Sequence, residues 1–356
     1  ATDNRNSFLR RCLLFLWILA LPACADFRLH APTVTATASA PSEAPIHTVY
    51  LIGDTAPPEG TRPSPAMQLL GSHLTDASKE TTLVFLGNTL SPNGMAPKKA
   101  AAERAADEAV LRAQLDLIKD FPGQLFFVAG DHDWADYGVD GLQRQRDFIE
   151  DYLDRDDLWE PTCGCGDPKE IDLTDELLLL LLDSQWWLTD WRGEPEVNKR
   201  CEAKSRDYFK LLYADAIKGN REKNIVVAMH HPVFSKGPHG GAFTARQHLF
   251  PLTDINNKLW LPLPGVGSLY PFYRASVGTP QDLANPAYQD LRTYLLDVAR
   301  MNGRFIFAAG HENSLQYLEK DNQHIVVSGA GASRTAARMT EGVRFAYGQQ
   351  GFAQLD

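Results

Sequence analysis

The chain has 356 residues, of which 44% are hydrophobic and 22% are charged, an ordinary balance for a globular protein with a sizeable core. Its formal net charge of -10 argues against a nucleic-acid-binding surface, because such a surface needs clustered Lys and Arg side chains. An anionic substrate is not excluded, since a bound metal ion can supply the local positive charge that the whole chain lacks.

The N-terminal segment has the pattern of a targeting sequence. An arginine-rich start precedes an unbroken apolar run at residues 12–21, which is too short to span a bilayer comfortably. The run leads into Leu-Pro-Ala-Cys, which is similar to the lipobox of bacterial lipoproteins, where cleavage leaves the cysteine (here Cys24) lipidated. We therefore expect residues 1–24 to be a lipoprotein signal peptide. The alternative is a plain signal peptide with a chance cysteine.

The segment that follows is rich in Ala, Thr, Pro and Ser. It has almost no large apolar residue after Leu29, so it cannot bury a core, and we expect residues 25–45 to form a flexible tether. A lipid on Cys24 would then anchor a domain of residues 46–356 to a bacterial membrane. This predicts a location in the cell envelope, on the periplasmic or surface side.

Three cysteines lie within the predicted domain. In an oxidising compartment, a disulfide from Cys201 back to the pair Cys163 and Cys165 is expected, and Cys165–Cys201 is the preferred pairing. One thiol would then be left over. A zinc knuckle is disfavoured because no fourth ligand stands at a zinc-finger spacing.

The predicted strands share one design. Each is a short run of β-branched and aromatic residues that stops at a small residue or methionine followed by a polar, metal-capable residue. They lie at residues 47–54, 81–88, 124–133, 224–231 and 304–311. Such runs are typical of strands buried on both faces, and ligands gather beyond the strand ends in layered α/β folds.

Helices and loops fill the intervals between these strands. Amphipathic periodicity predicts helices, and Thr-Asp in a leucine-rich stretch predicts a hairpin turn. The helices are expected at residues 100–121, 139–155, 201–218 and 289–301, and the hairpin at residues 170–183. A Gly-, Pro- and aromatic-rich region at residues 236–283 is long for a structureless loop, and we expect it to form a wall of the functional cleft.

The polar residues at the strand ends are candidate metal ligands. They are Asp54, Asn88, Asp131, His132, Asp133, His230, His231, His311, Glu312 and Asn313. A single such residue is more often a turn or cap residue. Their recurrence at every predicted strand end indicates a metal site with oxygen and imidazole ligands.

The order of these motifs resembles the calcineurin-like metallophosphoesterases. The chain has Gly-Asp at 53–54, Gly-Asn at 87–88, Gly-Asp-His-Asp at 130–133, His-His-Pro at 230–232 and Gly-His-Glu-Asn at 310–313. The flanking stretches at residues 183–188, 230–241, 247–254, 261–271 and 310–319 resemble the bacterial purple-acid-phosphatase-like branch. The likeness extends over about residues 46–350.

This resemblance implies a fold and an activity. The expected fold is α/β, a four-layer α/β/β/α sandwich in which two mixed β-sheets are flanked by helices. The expected activity is metal-dependent hydrolysis of small-molecule phosphate monoesters, with Zn, Fe or Mn ions that activate a water molecule. His132 and His239 are the expected catalytic residues, in contact with the phosphate or the leaving group.

The resemblance also implies metal ligands by position. One metal would be held by Asp131, His230 and His311. Asp54 and Asn313 would face the second metal, and Asn88 would stand at the bridging position. His231 would lie in the pocket wall or behind a ligand.

Three of these positions depart from the family pattern. The bridging aspartate is Asn88, the asparagine of the third motif is Asp131, and the last histidine is Asn313. An amide offers one donor oxygen and no charge, so it is a poor bridge between two dications. We expect one well-formed metal position and a doubtful second one. The alternative to an enzyme is a catalytically lapsed module that serves as a membrane-tethered binding or scaffold protein.

Overall fold

The computed structural model describes residues 25–31, 44–90, 92–189, 200–254, 256, 258–303 and 305–356. The predicted signal peptide with Cys24 lies outside the described residues, and so does most of the predicted tether. Among the helices that the structure describes, none combines the length and the apolar character needed to cross a bilayer.

The strands form two mixed β-sheets. They are β1 Thr48–Ile52, β2 Thr81–Phe85, β3 Gln124–Phe127, β4 Lys169–Thr174, β5 Leu177–Leu181, β6 Asn224–Met229, β7 Phe305–Ala309, β8 Leu315–Lys320, β9 Gln323–Ser328, β10 Val343–Tyr347 and β11 Ala353–Leu355. One sheet has the order β11-β1-β2-β3 and the other the order β10-β8-β9-β7-β6-β5-β4. The predicted strands β1, β2, β3, β6 and β7 and the hairpin β4–β5 are confirmed.

Alternating side chains of each strand serve two separate cores. In β1, Val49 and Leu51 belong to an apolar cluster that joins the two sheets and also contains Leu179 and Val226 of the second sheet. Their neighbour Ile52 belongs to a larger cluster with helix residues. Because successive side chains point to opposite faces, both faces of each sheet are covered, as the continuous apolar runs predicted.

The helices are α1 Pro65–Leu74, α2 Ala101–Leu115, α3 Asp131–Trp134, α4 Gly138–Leu153, α5 Ser184–Leu188, α6 Arg206–Gly219, α7 Ala245–Leu249, α8 Leu269–Ser276 and α9 Pro286–Asn302. Several begin at the capping residues that favour a helix start. The Ser64 hydroxyl accepts from the Met67 N–H, and the Asn285 side chain accepts from the Ala287 N–H, each just before a proline at the first helical position. Helices α2 and α4 contact each other, as do α6 and α9.

Two packed sheets between helical layers confirm the predicted α/β/β/α sandwich. The Cys165–Cys201 disulfide is also confirmed, and Cys163 is the buried thiol left over. The region at 236–283 holds α7, α8 and short 3₁₀ turns at Pro238–Gly240, Pro251–Asp254 and Val266–Ser268.

The first residues of the predicted flexible tether pair with the domain. Asp26 and His30 form isolated β-bridges with Ala337 and Ala346, and Ala25 is buried. The physical reason is that backbone N–H and C=O groups pair wherever a partner is available, even in a stretch that contributes little apolar surface.

Candidate metal centre

The strand ends of the two sheets meet through glycines. A Cβ atom on Gly53, which follows β1, would lie 3.0 Å from the Cα atom of Gly310, which follows β7. A Cβ atom on Gly87, after β2, would lie 2.6 Å from His230 Nδ1 and 2.7 Å from the Cα atom of Gly130. Side chains at these positions would separate the strand ends, so the glycines bring the following polar residues together.

Three residues at these strand ends have a left-handed backbone conformation that non-glycine residues rarely adopt. The φ angles are 54° at Asp54, 59° at Asn88 and 67° at His311. Residues held in such sparsely populated regions cluster at functional sites, because the surrounding structure must enforce them. Here the unusual turns point all three side chains towards one centre.

Three potential ligand atoms converge at that centre. His230 Nε2 lies 3.0 Å from Asp131 Oδ1 and 3.2 Å from His311 Nδ1. His311 Nδ1 lies 3.8 Å from the same Asp131 oxygen. The predicted trio of Asp131, His230 and His311 is therefore assembled, although the residues come from different strand ends.

Backbone carbonyls orient the two imidazoles of this trio. His230 Nδ1 donates to the Leu86 carbonyl at 2.7 Å, and His311 Nε2 donates to the Gln281 carbonyl at 2.9 Å. In the neutral tautomers, the remaining nitrogens present their lone pairs to the centre and to each other. Two facing lone pairs need a cation or a proton between them, and carbonyl-oriented imidazoles are the usual companions of a metal ligand set.

The pKa shifts of His230 and Asp131 also indicate a site that attracts a cation. Burial lowers the pKa of His230, but the hydrogen bond with Asp131 and the charge of Asp54 outweigh it and raise that pKa to about 9. Burial also raises the pKa of Asp131, yet hydrogen bonds with His230 and His311 hold it well below its usual range. The trio therefore attracts positive charge, and one carboxylate with two imidazoles fits a zinc-like cation with an open position.

Asn88 lies beside the trio with its amide nitrogen towards the centre. Nδ2 donates to Asp54 Oδ1 at 2.8 Å and to Asp131 Oδ1 at 2.9 Å. Oδ1 accepts from the backbone N–H of His132 at 2.9 Å. In this orientation the amide presents hydrogens to the centre, and turning it over would place oxygen against two carboxylates. The residue stands at the predicted bridging position but is not oriented to bridge metals.

The second metal position has few donors among the described residues. Asp54 Oδ1 accepts from Asn88 Nδ2, and Asp54 Oδ2 accepts from the His311 backbone N–H at 2.7 Å. Burial raises the pKa of Asp54, although His230 and His311 partly oppose this. Asn313 is half-buried, and no described hydrogen bond joins its side chain to the centre, so its metal-binding role remains a prediction. The residues present fit one cation and do not fit a metal pair.

The two predicted catalytic histidines lie around the trio. His132 follows Asp131 with a 41% exposed side chain, and its Nε2 lies 3.8 Å from Asp131 Oδ2. The ring centroid of His239 lies 4.0 Å from that of His311. Both are therefore brought close to the candidate centre, as expected.

His231 is buried next to the trio, with both nitrogens engaged. Nδ1 accepts from the Ser184 hydroxyl at 2.8 Å, and Nε2 donates to Gln281 Oε1 at 2.5 Å. Burial and the nearby His311 and His230 lower the pKa of His231 well below its usual value. It completes a compact group of histidines but has no lone pair left for a metal, which agrees with its predicted place in the pocket wall.

Asp282 and Arg274, which the sequence did not single out, hold His239 in place. His239 Nδ1 lies 3.1 Å from both the Gln281 carbonyl and Asp282 Oδ1, and Arg274 Nε donates to Asp282 Oδ2 at 3.0 Å. Burial opposes ionisation, but the bonds with His239 and Arg274 keep the pKa of Asp282 well below its usual range. The sequence contains a weak indication of Asp282, because it is the first acidic residue after a long stretch without Asp or Glu that begins at residue 255.

Asp133 organises the loops rather than the centre. Its carboxylate accepts from the backbone N–H groups of Asn88 at 2.7 Å and Gly130 at 2.9 Å, and from Gln145 Nε2 at 2.9 Å. It therefore ties the turn after β2 to the turn after β3. A cavity of about 710 Å³ lies away from this centre, at the opposite ends of the strands, beside His47, Asn224 and Phe305.

Comparison with known proteins shows similarity at the level of structure. No protein-family model and no curated protein matches the chain. The chain is similar to PhoD, with a TM-score of 0.51 and 8% identity over 88% of this chain and 64% of that one. It is similar to the purple acid phosphatase PPD1 from yellow lupin (Lupinus luteus) seeds, with a TM-score of 0.49 and 11% identity over 89% of this chain and 50% of that one.

A third similar structure is GAP50, the anchor in the inner membrane complex of Plasmodium, with a TM-score of 0.46 and 12% identity over 86% of this chain and 80% of that one. The chain thus spans less than two-thirds of the length of PhoD and of PPD1. Identities this low show the fold alone. The likeness to PhoD and the two helix-flanked mixed sheets show that the chain has the metallophosphoesterase fold.

Proposed function

We propose that this protein is a metal-dependent phosphoesterase that hydrolyses phosphate monoesters at a centre for one cation. The observation that carries the proposal is the convergence of Asp131 Oδ1, His230 Nε2 and His311 Nδ1 within 3.8 Å of one another. A Zn, Fe or Mn ion bound there would polarise a phosphate oxygen and lower the pKa of a water molecule.

The surrounding residues have separate tasks in such a reaction. Asp131, His230 and His311 would bind the cation, and the Leu86 and Gln281 carbonyls orient the two imidazoles. His132, on the exposed side, is placed to donate a hydrogen bond to a phosphate oxygen. His239 has its Nδ1 atom engaged by Gln281 and Asp282, which leaves Nε2 for a substrate.

The surroundings of His239 favour its protonated form. Burial lowers its pKa, but the hydrogen bond with Asp282 outweighs burial and raises it. An imidazolium can protonate the oxygen of a departing alcohol. We assign His239 this role in the proposed reaction.

The test is to measure metal per chain in protein purified without added metal, together with hydrolysis of p-nitrophenyl phosphate across pH. We expect close to one metal per chain and turnover that is lost on chelation and restored by Zn²⁺ or Mn²⁺. Fewer than one metal, with no turnover under any metal, would refute the proposal.

A specific observation favours a second candidate, a lapsed enzyme that keeps the fold as a binding or scaffold module. The Asn88 amide supplies hydrogens to Asp54 and Asp131, so an uncharged group satisfies the carboxylates without a second metal. If the lapse lies in the ligands alone, the triple change Asn88→Asp, Asp131→Asn and Asn313→His will raise activity by orders of magnitude. If the triple variant is inert, the lapse lies elsewhere.

We propose further that a lipid on Cys24 anchors the domain outside the cytoplasm. The arginine-rich start, the apolar run and the Leu-Pro-Ala-Cys motif support this, and the Cys165–Cys201 disulfide suits an oxidising compartment. Growth with a labelled fatty acid tests it, since wild-type protein should incorporate label and the Cys24→Ser variant should not. Equal incorporation would exclude Cys24 as the lipidated residue.

A further inference from the structure

Exposed apolar side chains are concentrated in one stretch, residues 259–277, here called the apolar arm. It includes α8, and half of the exposed large hydrophobic side chains of the described residues belong to it. Trp260 is 56% exposed, Leu269 is 65% exposed and Phe272 is 69% exposed. Single exposed apolar residues are normal, but a concentration of them in one stretch of the chain points to a contact surface.

The charge of the arm differs from that of the rest of the chain. The protein has 45 Asp and Glu residues, yet residues 255–281 contain none. The charged residues in that stretch are Lys258 and Arg274. Moving a carboxylate into an apolar phase is costly. A stretch without Asp or Glu is therefore better suited to enter such a phase.

The N-terminal side of the chain joins the body next to the arm. Ala25 donates its N–H to the Phe243 carbonyl at 3.0 Å and packs with Ala242 and Ala336. Phe243 in turn lies under the Arg274 guanidinium of α8, at 5.6 Å from the ring centroid. Cys24, the residue that we propose carries a lipid, directly precedes Ala25, so on that proposal the anchor is attached beside the arm.

We propose that the apolar arm rests on a lipid bilayer. Its composition fits this occupant, because Trp260, Tyr270 and Tyr273 are the residue types that collect at the membrane–water interface, where one part of a ring is apolar and another is wet. The proposed lipid on Cys24, next to Ala25, and the missing acids favour lipid over a second protein copy. Contact is mainly hydrophobic, so it holds on zwitterionic lipid and is insensitive to salt.

One consequence concerns the candidate centre. Arg274, on the inner side of α8, pairs with Asp282, which holds His239 next to His311. The helix that contacts lipid therefore also forms the wall of the centre, and docking holds the centre close to the membrane surface. The docking itself does not depend on catalysis or on a bound metal.

The test uses the full chain inserted into phosphatidylcholine vesicles whose acyl chains carry bromine atoms, which quench nearby tryptophan fluorescence. The difference in quenching between wild type and Trp260→Phe isolates Trp260 from the other tryptophans. We expect a clear loss of quenching in Trp260→Phe. We also expect hydrogen exchange within residues 259–277 to slow several-fold when vesicles are present.

Two variants make this result specific. The double variant Leu269→Ser and Phe272→Ser should remove the quenching of Trp260, and the control Leu211→Ser, equally exposed but on α6, should leave it unchanged. Equal quenching in wild type and Trp260→Phe would overturn the proposal. Slow hydrogen exchange in residues 259–277 without vesicles, becoming slower as the protein concentration rises, would also overturn the proposal. That result would mean that the arm mediates self-association.

Discussion

Asn88 Nδ2 lies 2.9 Å from Asp131 Oδ1. Two of the three positions at which the sequence departs from the metallophosphoesterase pattern that it resembles are therefore direct neighbours. An Asp and an Asn have traded places within one hydrogen-bonded group, so the total charge of the group is kept while its distribution changes. The carboxylate now stands with His230 and His311, and the amide stands next to Asp54.

Asn88→Asp tests how the amide stabilises this centre. The change places a third carboxylate beside Asp54 and Asp131, so the metal-free protein should lose about 3 kcal/mol of unfolding free energy. Thermal unfolding in a chelator measures the loss. Adding Mn²⁺ or Zn²⁺ should recover most of it, and a variant that is as stable as wild type without metal would contradict the network described here.

His311→Ala tests the cation trio. Removing one of two imidazole ligands should weaken metal binding by more than about 100-fold, measured by competition with a chelating dye. His324→Ala is the matched control, because His324 is exposed and hydrogen-bonded to Tyr317 away from the centre. Unchanged affinity in His311→Ala would mean that the metal binds elsewhere.

Gly87→Ala tests the contact between the strand ends. Gly87 has a φ of 90°, and an added Cβ would lie 2.6 Å from His230 Nδ1. We expect a loss of roughly 2–4 kcal/mol in a denaturant melt, from backbone strain and steric overlap together. Gly60→Ala separates the two effects: its φ is 69° with nothing within 4 Å, so it should lose only about 1 kcal/mol. Equal losses would show that steric contact is unimportant.

Asp282→Asn tests the acid sensitivity of the wall of the centre. The folded-state pKa of Asp282 lies below its ordinary value of 3.8, because the bonds with His239 and Arg274 outweigh burial. Its stabilisation is therefore present above pH 3.8 and is lost as the pH falls below that value. The variant should be less stable at neutral pH and should show a flatter decline in unfolding free energy on acidification. Parallel wild-type and variant curves would contradict this.

Cys163 should resist alkylation in the folded protein. Burial is the main cause that raises the pKa of its thiol to about 12, so at pH 8 only about one molecule in ten thousand would carry the thiolate. Iodoacetamide should label the Cys163 peptide after unfolding without a reductant. Cys165 lies on the same peptide and is bonded to Cys201, so these two residues should be labelled only after reduction as well. Mass spectrometry of these peptides measures both, and native labelling of Cys163 would show that it is accessible.

The strands and long helices of this protein follow from local sequence patterns. The apolar runs near residues 81–88 and 224–231 predicted buried strands, and the periodic segments form α2, α4, α6 and α9. The Cys165–Cys201 disulfide was also predicted from the sequence, as the preferred pairing. The β-bridges of Asp26 and His30 could not be predicted, because their partners lie more than three hundred residues away in the sequence and leave no local pattern.

For the candidate centre, the sequence predicted the residues but not the orientation of their side chains. A polar residue directly after each strand end marks Asp54, Asn88, Asp131, His230 and His311 in the sequence, and all of these except His230, which follows Met229, come after a glycine. Only the tertiary structure decided which atom of each residue faces the centre. The tautomers of His230 and His311 depend on carbonyls of Leu86 and Gln281, and the direction of the Asn88 amide depends on the His132 N–H. The direction of a hydrogen bond depends on residues that are distant in the sequence. The sequence therefore identifies the polar groups but not their orientation.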